Sequence, residues 1–216
     1  MRPARRDGIQ RYDALLDTAL ACFSARGLLH TGIEDVRRAA GASPSSVYNL
    51  FDGLPDLMGA LLERIFERLF AHLVARVTRA RSARLAVLAL VDGHLSWILR
   101  HRDEGRFMYQ AMSLGLEAAA MEALQARKAE LLTPLVAHFA RFVERGELPR
   151  WPALALDVVL LGPSHEALRR FLGGAALDPR WMRAQLPRLA WQTVAPPPRL
   201  PARATRGRAS RGRASR

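Results

Sequence analysis

The stretch Gly41-Ala42-Ser43-Pro44 constrains the fold more than any other, because it divides two helical patterns that are each too short to bury a core alone. Ahead of it, Ile33, Val36 and Ala40 repeat with the helical period and predict one inward face. Thr31 is placed to cap that helix with its side-chain oxygen, and Glu34 and Asp35 fall in its first turn, where the helix dipole favours acids. Gly41 ends it, since glycine takes the left-handed conformation without a steric penalty. Ser43-Pro44 restarts the chain: serine is a preferred cap, and proline at the first helical position gives up only an amide that had no partner. Val47 and Phe51, one turn apart, anchor the second helix, which leaves Ser45, Ser46, Tyr48, Asn49 and Asp52 facing outward. A short outer face this rich in donors suits a helix-turn-helix lying in a major groove.

Val36 through Phe51 resembles the DNA-binding signature of the TetR/AcrR family of transcriptional regulators: a branched aliphatic, then A-G-x-S, then a helix carrying aromatic-x-x-F. The flanks agree, with an amphipathic helix ending at Gly27 before the motif and a long helix opening at Leu57 after it. The likeness covers roughly the first third of the chain; beyond it only the all-helical layout continues. The chain departs from the family pattern at Gly32, where a second hydroxyl residue is usual, at Arg37 in place of alanine, at Leu54 in place of lysine, and at Leu50 in place of histidine or tyrosine. The resemblance implies an all-α protein: an N-terminal three-helix helix-turn-helix domain over residues 1–52 and a helical-bundle domain over 53–195 that binds a small effector and forms a homodimer through the last two helices. The residues it places on DNA are Thr31, Ser43, Pro44, Ser45, Ser46, Tyr48 and Asn49. The serines are expected near phosphates, and Tyr48 and Asn49 toward base edges or the adjacent backbone. Because a helix-turn-helix needs a second copy about one DNA turn away, the expected partner is a palindromic double-stranded operator.

Charge narrows the nucleic-acid case to the ends. The chain of 216 residues has a net charge of +13, and Lys128 is its lone lysine. Residues 196–216 hold seven arginines and no acid, which leaves +6 for everything before them, and residues 1–52 carry seven arginines against six acids. Arg2, Arg5 and Arg6 form an arm that either touches phosphate or minor groove or is simply solvated. From Pro196 the composition, ending in repeats of R-G-R-A-S, is too poor in apolar residues to offset the cost of ordering, so a disordered tail is expected. That tail either adds nonspecific affinity for phosphate or serves only solubility.

The rest of the chain reads as helices bounded by glycine and proline. Tyr12, Leu16, Ala19, Leu20 and Phe23 give the first an apolar face, and Leu57, Leu61, Ile65, Leu69 and Leu73 do so for the long helix after the turn 52–56. Ser82 caps a helix running to about His101, Asp103 begins a shorter one, and Glu117 to Arg145 is helical with a break near Thr133-Pro134. Leu154, Val158, Leu161, His165, Leu168 and Leu172 alternate steps of four and three, the spacing of a seam, and the resemblance turns that seam into a dimer face; Gly162-Pro163 should kink it. Gly173-Gly174 closes that helix, and Asp178-Pro179 caps a last one. The single cysteine, Cys22, excludes an intramolecular disulfide and a cysteine zinc cluster, and is expected to pack as a small apolar side chain. No apolar run reaches the roughly 18 residues of a membrane span, so a cytoplasmic protein with no membrane partner is expected.

Catalytic signatures find no scaffold. His101-Arg102-Asp103 spells the opening of a kinase loop, but Asn49 is the only asparagine and no glycine-rich phosphate loop accompanies it; G-x-S-x-G and H-E-x-x-H are absent. His94 and His101 lie two helical turns apart, about 10.5 Å of rise, too far to share one metal without a partner helix. No enzyme, metal or cofactor is therefore expected. The aromatic and methionine set around Trp97, Phe107, Tyr109, Met112 and Phe139, with His94, reads as plain core from its periodicity and as the lining of an unknown effector's pocket from the resemblance. Two further readings compete with a sequence-specific regulator, by the resemblance a repressor: a nonspecific nucleic-acid-binding protein driven by the tail, and an enzyme using His94, His101 or His165.

Overall fold

The computed structural model describes residues 6–114 and 118–196, helices joined by turns and short irregular connections, with no strand among the described residues. The helices are α1 (Arg6–Arg26), α2 (Ile33–Ala39), α3 (Pro44–Tyr48), α4 (Leu54–Val77), α5 (Ala83–Arg100), α6 (Arg102–Leu114), α7 (Ala118–Glu144), α8 (Ala153–Leu172) and α9 (Pro179–Val194), with a single 3-10 turn, Leu28–His30, between α1 and α2. The protein is all-α, as the periodicity predicts. Arg2 and Arg5 of the basic arm, and the tail beyond Pro196, lie outside the described residues.

Local chemistry sets the boundaries. Ser82 accepts a hydrogen bond from the Leu85 amide at 3.3 Å to start α5, and Asp178 accepts one from the Arg180 amide at 2.9 Å to start α9. α4 begins earlier than the sequence suggests: Leu54 and Pro55 already form its first turn, where proline loses no bond. Thr133-Pro134 does not break α7, which runs unbroken across both. One lost backbone bond is offset there by packing, since Leu135 and Phe142 on the following turns are buried.

α5 is the central rod, packed against α4, α8 and α9, while α7 covers the other side of α4. The predicted stripe Leu57, Leu61, Ile65, Leu69 and Leu73 is buried along α4, and Leu16, Ala19 and Phe23 are buried along α1. Cys22 packs against the core, half-buried. α6 is the wedge between the two halves of the chain. It touches α1, α4, α5 and α8, and at Gly105 it comes so close that an added Cβ would lie 2.8 Å from Ile98 and 3.3 Å from Leu172. Phe107 of α6 stacks on Phe23 of α1 with ring centroids 5.2 Å apart. Glu104, also on α6, is buried and holds Arg68 of α4, with His101 Nδ1 3.0 Å from its carboxylate. Arg64 of α4 reaches back to Asp17 on α1 at 2.8 Å. The N-terminal helices are therefore docked on α4 and α6 by both apolar and ionic contacts.

Candidate nucleic-acid interface

The helix-turn-helix is built from short local bonds. At the end of α2 the Ala42 amide donates to the Arg37 carbonyl and the Gly41 amide to the Arg38 carbonyl, each at 3.1 Å, the two-bond Schellman close. Gly41 has φ 60°, the left-handed region that the sequence anticipates. Ser43 Oγ then accepts from the Ser46 amide at 3.2 Å, with Pro44 in the first position of α3. Arg37 spans the turn: its Nε donates to Glu34 Oε2 at 2.7 Å and its Nη1 to the Ala42 carbonyl at 3.0 Å. Arg37 stands out in the sequence only as a departure from a pattern. No local signal announces it as the brace of this turn.

Two expectations for α2 need correction. Thr31 does not cap it; Gly32 stands at the cap, and its amide donates to Asp35 Oδ2 at 2.9 Å. Thr31 is buried, with its hydroxyl donating to the Gly27 carbonyl at 2.9 Å. The intervening 3-10 turn aims that side chain back at the end of α1, so Thr31 secures the α1–α2 junction instead of an outer surface. Ala40 is exposed, and Val36 with half-buried Ile33 makes the inward contact.

α3 has the division that its sequence predicts. Val47 and Phe51 are buried, and Phe51 stacks on Tyr12 of α1 at 5.1 Å. Ser43, Pro44, Ser45, Tyr48 and Asn49 are exposed and Ser46 is half-buried. The three serine hydroxyls cluster, Ser43 Oγ lying 3.1 Å from Ser45 Oγ and 2.7 Å from Ser46 Oγ. Tyr48, 48% exposed, donates its hydroxyl to Glu34 Oε1 at 3.2 Å. That carboxylate is thus held from two sides. The Arg37 hydrogen bond, foremost, and that of Tyr48 keep Glu34 below the usual carboxylate range, and the same contact raises the Tyr48 phenol. The face so formed offers hydroxyls, a carboxamide and a phenol at fixed positions, groups able to bond phosphate oxygens and base edges.

The set expected around an effector is dispersed. His94 is 1% exposed and meets His165 of α8 edge to face, ring centroids 4.4 Å apart, while the Tyr109 hydroxyl lies 3.0 Å from His165 Nδ1. Among the described residues, neither ring nitrogen of His94 finds a hydrogen-bond partner. Burial, then the neighbouring His165, holds His94 well below its ordinary pKa; burial also depresses His165 and raises Tyr109. Trp97 is buried against His101, Phe107 is buried against Phe23, Met112 is exposed, and half-buried Phe139 lies 6.4 Å from Phe142 on α7. Of that set, Tyr109 alone lines the cavity of about 440 Å³ between the 3-10 turn, α6 and the end of α8. The seam of α8 also divides. Leu161 and Leu168 are buried within the protomer, His165 faces His94, and Leu172 packs toward Gly105; Leu154 and Val158, 73% and 60% exposed, remain on the surface. Among the described residues, no group of three or more His, Cys, Asp or Glu is placed to hold a metal ion, and no helix is long and apolar enough to cross a membrane.

Residues 15–61 match the family model for bacterial regulatory proteins, tetR family. Among curated proteins no sequence matches the chain. The fold is similar to that of a TetR family transcription regulator from Marinobacter aquaeolei at a TM-score of 0.69 and 16% identity, covering 89% of this chain and 99% of that one. It is similar to a TetR/AcrR family regulator from Thermobifida fusca at 0.65 and 21%, covering 84% and 96%. For the ketosteroid transcriptional regulator KstR2 of Mycobacterium tuberculosis the values are 0.63 and 20%, covering 86% and 95%. Residues 15–61, which contain the helix-turn-helix, thus match the tetR family model, and the chain as a whole has the all-α fold of solved TetR family structures.

Proposed function

We propose that this protein is a homodimeric, ligand-responsive transcriptional repressor that reads a palindromic operator through α3. The observation that carries the reading is the division of α3 itself: Val47 and Phe51 are buried behind it, while Ser43, Ser45, Tyr48 and Asn49 stand exposed in front. A helix this short earns its place only through what its outer face meets. The Gly41 close, the Ser43 cap and the Arg37 brace all serve to fix that face. Pro44 sets the start of the helix, and Ser46 completes the hydroxyl cluster. Thr31 supports this surface from within.

Exposed apolar side chains favour pairing of two copies through α8 and α9. Leu154 and Val158 on α8, with Trp181 and Leu189 on α9, are uncovered in the single chain. Burying such a patch is the ordinary route to a two-fold dimer. Release of DNA then requires only that a small molecule bind one conformer better than the other. The contacts that would carry the difference are those of α6 and α4 on α1, Phe107 on Phe23 and Arg64 on Asp17.

The test is a gel-shift titration on the DNA flanking the protein's own gene, followed by footprinting. The intact chain should protect a symmetric site. Tyr48→Ala should abolish specific binding and leave dimerisation, read by sedimentation, as it was. Unchanged affinity in the Tyr48→Ala protein refutes the docking through α3.

A further inference from the structure

The cavity beside Tyr109 has a composition of its own. Leu28, Tyr109, Leu114 and Leu172 give it apolar walls, and two guanidinium groups, Arg106 and Arg169, supply charge; among the described residues, no carboxylate lines it. Its volume of about 440 Å³ falls in the range of roughly 300–1,000 Å³ usual for small-molecule sites. Leu114 is 51% exposed, so part of this wall is apolar surface left to water.

Both arginines already have a carboxylate. Arg106 Nη1 lies 3.2 Å from Asp103 Oδ1, and Arg169 makes two bonds of 2.9 Å to Glu166. These pairs lie within single helices and are exposed, the class of ion pair that water weakens most. A guanidinium carries five N–H donors in a planar fork, so each keeps donors to spare. Two cations beside an apolar hollow, with no anion among the described residues of its lining, favour a molecule with an apolar body and a carboxylate end.

We propose that this cavity binds a small amphipathic monocarboxylate. Leu28 belongs to the turn that leads into α2, whereas Tyr109, Leu114 and Leu172 belong to α6 and α8. A molecule held between them contacts both halves of the chain, so its affinity depends on how the N-terminal helices sit on α6. By reciprocity, occupancy and DNA affinity are then coupled. That second step rests on the operator-binding reading above; the site itself does not.

Straight-chain carboxylates from hexanoate to dodecanoate, and the primary alcohols of the same lengths, are titrated into the full chain without DNA by calorimetry. At least one acid should bind once per chain and about tenfold or more tighter than its alcohol, the worth of a charge-assisted hydrogen bond. The double variant Arg106→Gln, Arg169→Gln should lose that preference while keeping the alcohol's affinity and the melting temperature. Leu114→Trp, which fills the mouth, should weaken acid and alcohol alike. Equal binding of acid and alcohol, or a preference that survives in the double variant, overturns the site. Adding the acid to a DNA complex tests the coupling: a changed DNA affinity supports it and an unchanged one overturns it. A chain that binds acid but no specific DNA refutes the operator reading and leaves the site standing.

Discussion

Alanine placed at Gly41 and at Gly59 should move stability in opposite directions. At both positions nothing lies within 4 Å of an added Cβ, so crowding by neighbours drops out and only the backbone decides. Gly41 sits at φ 60° in the Schellman close of α2, where an L side chain costs about 1–2 kcal/mol. Gly59 lies inside α4 without a positive φ, where replacing glycine by alanine gains roughly 0.5–1 kcal/mol. For a chain of 216 residues each kcal/mol moves the melting temperature by about 2–4 °C, so the two single variants should melt on opposite sides of the unsubstituted protein and roughly 5 °C apart. Differential scanning calorimetry reads this directly. The Gly41→Ala protein should also bind operator DNA more weakly, because the bonds at Gly41 set where α3 begins, and Gly41→Asn should recover part of both losses, since asparagine tolerates the left-handed region better than other non-glycine residues. A Gly41→Ala protein that melts at or above the unsubstituted one, or Asn doing no better than Ala, refutes the reasoning.

The buried histidines predict a pH dependence. His94 and His165 are both held below 6.5, so as pH falls the unfolded chain takes up their protons first; the stability they confer is present above about 6.5 and is lost as pH drops through the folded values, by up to about 1.4 kcal/mol per unit for each. Urea midpoints at pH 7.5 and 5.5 should therefore differ, and by less in His94→Leu; an unaltered difference counts against it. Arg68→Ala should destabilise by about 1–3 kcal/mol in denaturant titration, because Glu104 stays buried and loses its guanidinium, keeping His101 beside it, whereas Glu104→Gln should cost less. Leu154→Arg with Val158→Arg should give a folded monomer in sedimentation equilibrium, and a persisting dimer means that the copies pair elsewhere.

Much of the molecule was legible because its punctuation is local. Ser43-Pro44, Ser82 and Asp178-Pro179 start helices where the capping chemistry says they should, and Gly41 ends one with the bonds expected of it. The α4 stripe was equally plain, since a period of this kind says that a face is apolar. It does not say what covers the face. That is why the seam of α8 mixes Leu161 and Leu168, buried in the same chain, with Leu154 and Val158, which are not. Thr31 misled for a related reason: a hydroxyl before a helix suits a cap, but the 3-10 turn gave it a nearer carbonyl. The contacts that shape the candidate face, Arg37 on Ala42 and Tyr48 on Glu34, depend on where long side chains swing, and no spacing encodes that. The meeting of His94 and Tyr109, on consecutive helices, with His165 on distant α8 was equally hidden.

Gly105 lets the backbone of α6 lie directly against side chains of α5 and α8. A side chain at 105 would meet methyl groups of Ile98 and Leu172 at 2.8 and 3.3 Å, so those groups would have to yield. The same helix carries Tyr109 at the cavity wall and Phe107, whose ring stacks on Phe23, so α6 physically joins that cavity to α1. Enlarging that one glycine would push α6 away from these neighbours and disturb its seat against α1.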